Sequence, residues 1–187
     1  MITGALWGPL MNIRGIFLGA VCLVSCFVVS GGAQAAQNIF LEIPGVAGEV
    51  VTPAPFAGQI AIFSISSGAS RPCGVGGGQL SMGSVNVMKS TDKATVKLST
   101  ALRDGTVYPT ATIRFARSSD NQVYQVWQMN NAIVESLQAS GSSGGDDKTT
   151  ESVSFAYAQL VVTYTFFDGS GKAGGTETMT FTSGSCP

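Results

Sequence analysis

Residues 139–167 read ASGSSGGDDKTTESVSFAYAQLVVTYTFF. The second half of this stretch decides the fold. From Thr150 to Phe167 the chain is rich in β-branched and aromatic residues, with no Gly or Pro to interrupt it. Val153, Phe155, Tyr157 and Val161 fall on one side of an extended backbone. Ala156, Leu160, Val162, Tyr164 and Phe166 fall on the other. The pattern predicts one long strand with bulk on both faces, one face covered by a barrel core and the other by a neighbour. The first half contains Gly141-Ser142-Ser143-Gly144-Gly145, which satisfies G-x-S-x-G. A nucleophile elbow of that pattern needs a strained strand-to-helix turn and a base. Here flexible Gly and Ser lie between two strand-like runs, and the chain contains no His. The segment therefore reads as a hairpin turn.

The lack of His removes Ser-His-Asp and Cys-His constellations and every His-based metal site. Asp146-Asp147 followed by Lys148 reads as a solvated loop. Gly76-Gly77-Gly78 and Asp168-Gly169-Ser170-Gly171-Lys172 lack the G-x-x-x-x-G-K-[ST] spacing of a phosphate loop. Tyr124 and Trp127 read as core packing. No catalytic, cofactor-binding or metal-binding residue is assigned, and the expectation is a protein that is not an enzyme and needs no cofactor.

Outward from the decisive stretch the strand signal continues. NIFLEI (Asn38–Ile43) alternates and stops at Pro44-Gly45; QIAIFSIS (Gln59–Ser66) alternates with one irregularity at Ile62-Phe63. Val85–Met88 is a further short strand. Val107–Arg117 and Val123–Gln138 flank a turn at Ser118–Gln122, and the second run calls for a bulge near Asn130-Asn131. Thr176–Thr182 is the last strand. Ser67–Met82, with five Gly in its sixteen residues, reads as a long flexible loop. The period changes only in TDKATVKLSTALRD (Thr91–Asp104), where Ala94, Leu98, Ala101 and Leu102 recur at helical spacing. Ser90 or Thr91 can cap this helix, and Gly105 suits its left-handed end. The expected fold is mainly β: an antiparallel β-barrel of two packed sheets with one flanking α-helix. Closure of the barrel would deal with its many strand edges.

The first 35 residues read differently. Arg14 supplies a positive charge, Gly15–Val29 is nearly all apolar, and Ala33-Gln34-Ala35 offers the small residues a signal peptidase requires. These are the parts of a secretory signal peptide, and Met11 is the more natural start. The apolar run is short for a membrane span, which takes roughly 20 apolar residues. Cleavage near Ala35 or Ala36 leaves one domain, residues 36–187, secreted or periplasmic and with no membrane attachment. Leu23-Val24-Ser25-Cys26 supports an alternative in which Cys26 is the acylated cysteine of a lipoprotein, although the apolar run continues beyond it. Losing Arg14 leaves nine Lys and Arg against eleven Asp and Glu, a net charge of −2. No basic block exists, which argues against nucleic acid. Cys73 and Cys186 remain. In an oxidising compartment they either form one disulfide, with roughly 4 kcal/mol of chain-entropy stabilisation for so long a loop, or stay as separate thiols.

The ordered features resemble the Hcp family (haemolysin-coregulated protein), the inner-tube subunit of type VI secretion systems. NIFLEIPGVAGEV is similar to the family's opening strand and turn. GGGQLSMGSVNVMKSTDKATVKLSTALRDGTVYPTATIRF is similar to its Gly-rich loop, short strand, helix and following strand. SGSSGGDDKTTESVSFAYAQLVVTYTFFD is similar to its hairpin and long strand. The resemblance runs from Ile39 to about Gly175. It implies a small barrel with one helix, assembling as a homo-hexameric ring whose copies stack into a tube that carries effector proteins. It also implies ring contacts at Thr91–Arg103 and ring stacking through the loop that contains Ser67, Arg71, Gly76, Gly77, Gly78 and Met82. Two features depart from the family pattern: the signal peptide, and Phe63-Ser64-Ile65 where an aromatic-rich W-S-W-like run is usual.

Overall fold

The computed structural model describes residues 37–71, 80–143 and 147–182. Residues 1–36, which include Cys26 and the expected signal peptide, the loop residues Cys73 and Gly76–Gly78, and Cys186 lie outside the described residues. In chain order the elements are β1 (Gln37–Glu42), a 3-10 turn (Ala54–Phe56), β2 (Ile60–Ile62), β3 (Ser64–Ser66), β4 (Ala69–Ser70), β5 (Ser81–Met82), β6 (Val85–Ser90), α1 (Ala94–Asp104), β7 (Val107–Arg117), β8 (Val123–Ser140), β9 (Thr150–Ala156), β10 (Gln159–Phe167) and β11 (Ala173–Thr182). The architecture is mainly antiparallel β with one helix, as the sequence implies.

Nine strands form one sheet in the order β2-β1-β7-β8-β9-β6-β3, with β10 paired to β8 and to β11. The end strands β2 and β3 are successive pieces of one run, separated by Phe63. The path therefore returns on itself as a nearly closed barrel, and the Phe63 N–H donates to Met88 O at 2.7 Å across the seam. The two packed sheets expected from the sequence are two sides of this one sheet, continuous through β8.

Strand β8 makes that continuity. Its first half pairs with β10, from Tyr164 opposite Gln125 to Gln159 opposite Asn130. Its second half pairs with β9, from Ala156 opposite Ile133 to Thr150 opposite Ser140. Between the halves Asn131 adopts a left-handed φ of 52°, a conformation that Asn tolerates better than most side chains. The bulge expected near Asn130-Asn131 lies instead between Val134 and Ser136, where the pairing with β9 shifts register; at Asn131 the backbone turns left-handed with register kept. The single strand expected over Thr150–Phe167 is not present. It breaks at Tyr157-Ala158, opposite the bend, where the Ala158 N–H donates to Asn130 O at 3.0 Å. The break shifts the parity of the buried positions: Val153 and Phe155 face the core before it, Leu160 after it. That shift explains the bulk on both sides of the sequence pattern.

The Ser67–Met82 segment also differs from the expected free loop, because Ala69 and Ser70 pair with Met82 and Ser81 as a short two-stranded stem. Outside β1, Phe40 stacks on Phe56 with ring centroids 4.2 Å apart, and the chain between β1 and β2 covers that face.

The helix starts later than Thr91. Asp92 Oδ1 accepts the Ala94 N–H at 3.0 Å, and Gly105 ends the helix with a left-handed φ of 65°. Its buried stripe of Ala94, Leu98 and Ala101 joins the barrel core. Burial of Leu98 alone is worth about 2–5 kcal/mol by the usual cost of truncation to Ala. Its first turn is held by a buried polar cluster. Lys89 faces Glu151 directly across β6 and β9, and both are buried, Lys89 at 0% and Glu151 at 2% exposure. Lys89 Nζ lies 2.8 Å from Glu151 Oε2 and 2.8 Å from Asp92 Oδ1. It also donates to Ser90 O at 2.8 Å and to Thr95 Oγ1 at 3.1 Å. Thr95 Oγ1 donates to Glu151 Oε2 at 2.8 Å, and Thr91 Oγ1 to Glu151 Oε1 at 2.9 Å. Burial pushes the Glu151 carboxyl up, but the donors from Lys89, Thr95 and Thr91 and the Lys89 charge outweigh it and hold the carboxyl below its ordinary range.

Lys89→Ala leaves Glu151 buried without its cation and should lower the unfolding free energy by about 3–5 kcal/mol in urea denaturation, while the apolar pair Lys89→Met/Glu151→Leu should recover most of the loss. Because the folded carboxyl titrates below the unfolded one, its stabilisation is complete above the ordinary glutamate range and is lost as pH falls through the folded value. The same titration on Glu151→Gln should lose that acid-side slope. An unchanged slope would mean that the cluster does not govern acid stability.

Candidate functional site

The described residues contain no group of three or more side chains suited to a metal ion. The G-x-S-x-G segment lies where the sequence puts it, between β8 and β9, and its described residues Gly141, Ser142 and Ser143 are exposed. The unusual surface is elsewhere, on β10 and β11. Strand β11 pairs only with β10, and its other edge has no strand partner among the described residues. Such an edge offers a row of unpaired N–H and C=O groups, and proteins usually blunt it with Lys, Pro or a covering element. The ten residues of β11, AGGTETMTFT, contain none of those devices and a single charge, Glu177.

The two faces of this flap differ. On the core-side face the paired ranks are Leu160 with Phe181, Val162 with Met179, Tyr164 with Glu177 and Phe166 with Gly175. The first rank is part of the barrel core. Val162 still packs against that core, whereas Met179, Tyr164 and Phe166 are 60%, 48% and 43% exposed. Tyr164 meets Tyr124 edge-on at 6.5 Å and Phe166 lies 6.5 Å further along. The Phe166 ring lies over Gly175, where a Cβ would come within 2.9 Å of it, so only glycine lets the ring lie there. A connected apolar strip of this kind on a soluble surface marks an interaction site. The opposite face carries Thr163, Thr165, Thr176, Thr178 and Thr180. There Gln128, Asn130, Gln159 and Thr182 form a hydrogen-bonded chain at 2.9, 2.7 and 3.2 Å.

Of the loop residues singled out in the sequence, Ser67 and Met82 sit together at the β4–β5 stem and Arg71 is exposed just beyond it. The helix also has a clamp at its start: Glu49 accepts from the Lys93 N–H at 3.0 Å and from Lys148 Nζ at 2.8 Å. The clamp ties the loop after β1 and the β8–β9 hairpin to one point, and the Lys148 hydrogen bond, followed by that from Lys93, holds Glu49 below its ordinary range. Sequence reading missed two features. The exposed strip was present as a same-side set, Leu160, Val162, Tyr164 and Phe166, but nothing local marks where the core stops. The Lys89–Glu151 pair was signalled by parity, since Lys89 follows Val85 and Val87 and Glu151 precedes Val153 and Phe155 on inward positions.

The sequence model of the family described as "Type VI secretion system effector, Hcp" matches residues 40–164, and the chain belongs to that family. It is 37% identical over 78 residues to Protein hcp1 of Pseudomonas aeruginosa, an alignment covering 41% of this chain and 48% of that one; the chain spans about half the length of this curated relative. A solved structure described as a type six secretion system protein superposes with a TM-score of 0.74 at 28% identity, over 79% of this chain and 96% of that one. Hcp1 from Salmonella typhimurium shares the fold, with a TM-score of 0.68 at 20% identity over 81% and 99% of the two chains.

Proposed function

We propose that the chain is a non-enzymatic ring subunit of the Hcp type, forming homo-hexamers that stack into a tube and carry effector proteins. The observation that carries this reading is the β10–β11 flap, whose unblunted edge and exposed Met179, Tyr164 and Phe166 lie side by side. A closed ring requires a patch on each copy that fits a different patch on the next. Aromatic residues and Met are the usual anchors of such contacts. The stem bearing Ser67 and Met82, with Arg71 beyond it, is our choice for stacking between rings, together with Gly76, Gly77 and Gly78. A second reading is favoured by the leader that ends at Ala35: an exported periplasmic or extracellular binding module or effector that keeps the fold without a tube. Both readings take residues 1–35 as a removed signal peptide, with acylation at Cys26 as the alternative processing.

Light scattering on the chain starting at Ala36 tests the assembly. The wild type should have roughly sixfold the monomer mass. Met179→Glu, which puts a charge on an exposed site, should be monomeric with a stability within about 0.5 kcal/mol of wild type. A variant of full assembled mass would remove the flap from the interface, and a monomeric wild type would leave the binding-module reading.

We further propose a Cys73–Cys186 disulfide. Its support is that Ala69 and Phe181, each a few residues before one of the cysteines, line the same pocket. Alkylation of the unfolded exported chain before and after reduction should label no thiol and then two. Labelling of both thiols without reductant would refute the bond.

A further inference from the structure

A ring built head to tail needs a second patch on each copy, different from the flap and able to receive it. The barrel places such a patch across from the flap. Along the sheet, β7, β1 and β2 separate β8 from the seam in one direction, and β9, β6 and β3 separate it in the other. The seam between β2 and β3 therefore stands on the far side of the barrel from the strand that carries the flap. At this seam the alternation of inside and outside slips. Ile60 and Ile62 face the core and Ala61 faces out; then Phe63 and Ser64 are both exposed before Ile65 turns back to the core. The slip leaves Phe63 60% exposed, the most exposed aromatic side chain among the described residues. Met88, also exposed, is its neighbour on β6, where the Met88 carbonyl accepts the Phe63 N–H. A surface groove lined by Val50, Ala61 and Lys148 opens beside Phe63. Lys148 is held by Glu49 at 2.8 Å but is half-exposed, so its ammonium has donors to spare for a second carboxylate.

The two surfaces match in chemistry. The flap offers Met179, Tyr164 and Phe166, with one charge, Glu177, on the same face. The seam offers Phe63 and Met88, with Lys148 beside them. Pairing them covers two apolar patches at once, brings thioether sulfur to an aromatic ring, a favourable contact, and gives the one flap carboxylate a cation. We propose that the flap of one copy docks on the outer seam of the next, with Met179 against Phe63 and Met88 and with Glu177 toward Lys148. This pairing rests on the ring reading above and names the surface that completes it.

Mixing two broken copies tests the pairing, with the chain starting at Ala36 and native mass spectrometry as the readout. Phe63→Glu breaks the seam and leaves the flap intact; Met179→Glu does the reverse. Each alone should be a folded monomer, about one-sixth of the wild-type mass. Combined in equal amounts, they should form a dimer with one copy of each and nothing larger, because each such pair holds only one whole interface. Met88→Glu, on the same seam, should behave as Phe63→Glu does, which separates loss of the contact from misfolding of one variant. If both seam variants keep the hexameric mass, the seam is not the receiving surface, while the ring reading stands. Monomers that stay apart on mixing would overturn the pairing of these two patches. A wild type that is itself monomeric would remove the ring reading and the pairing with it.

Discussion

One backbone conformation governs the layout of this barrel. Asn131 turns β8 through a left-handed φ, so that one edge of a single strand serves two partners, β10 below the bend and β9 above it. Opposite the bend the chain after the hairpin breaks at Tyr157-Ala158 yet keeps one register along that edge, with Ala156 opposite Ile133 and Gln159 opposite Asn130. Its second half also pairs with β11, which forms the flap with its free edge and its exposed strip.

The other wall of the barrel depends on charge. Burying Lys89, Asp92 and Glu151 is costly in itself, since ions taken from water lose solvation that only good geometry returns. Here each carboxylate and the ammonium has several partners, and those partners come from β6, β9 and the first turn of α1. An apolar cluster could dock the helix as firmly. The polar one also fixes its register, because a shift of the helix by one residue would separate Asp92 and Thr95 from Lys89. The Leu98 stripe then supplies the area, and Glu49 and Lys148 pin the neighbouring loops to the same end of the helix.

Much of this was legible in the residues. Alternation located nearly every strand, and the change of period located the helix. The hairpin reading of Gly141–Gly145 followed from a missing base. The parts that were not legible share a cause: they depend on where a second segment lies. Nothing in SFAYAQLVV signals a break, which lies opposite the left-handed Asn131 of the facing strand. Lys89 at the end of a strand looks solvated until Glu151 is placed opposite. The Gly-rich run after Ser67 looks unstructured because its stem is only two residues long on each side. Tyr164 and Phe166 look like core until the core is seen to end at Leu160.

The chain belongs to the Hcp family by sequence model and fold, and the uncovered flap is the surface on which the proposed assembly rests. The most direct measurement is native mass spectrometry of the chain starting at Ala36, with the same sample imaged by negative-stain electron microscopy. The account predicts a dominant hexameric species and annular particles. A monomer at every concentration, with no annular particles, would contradict it.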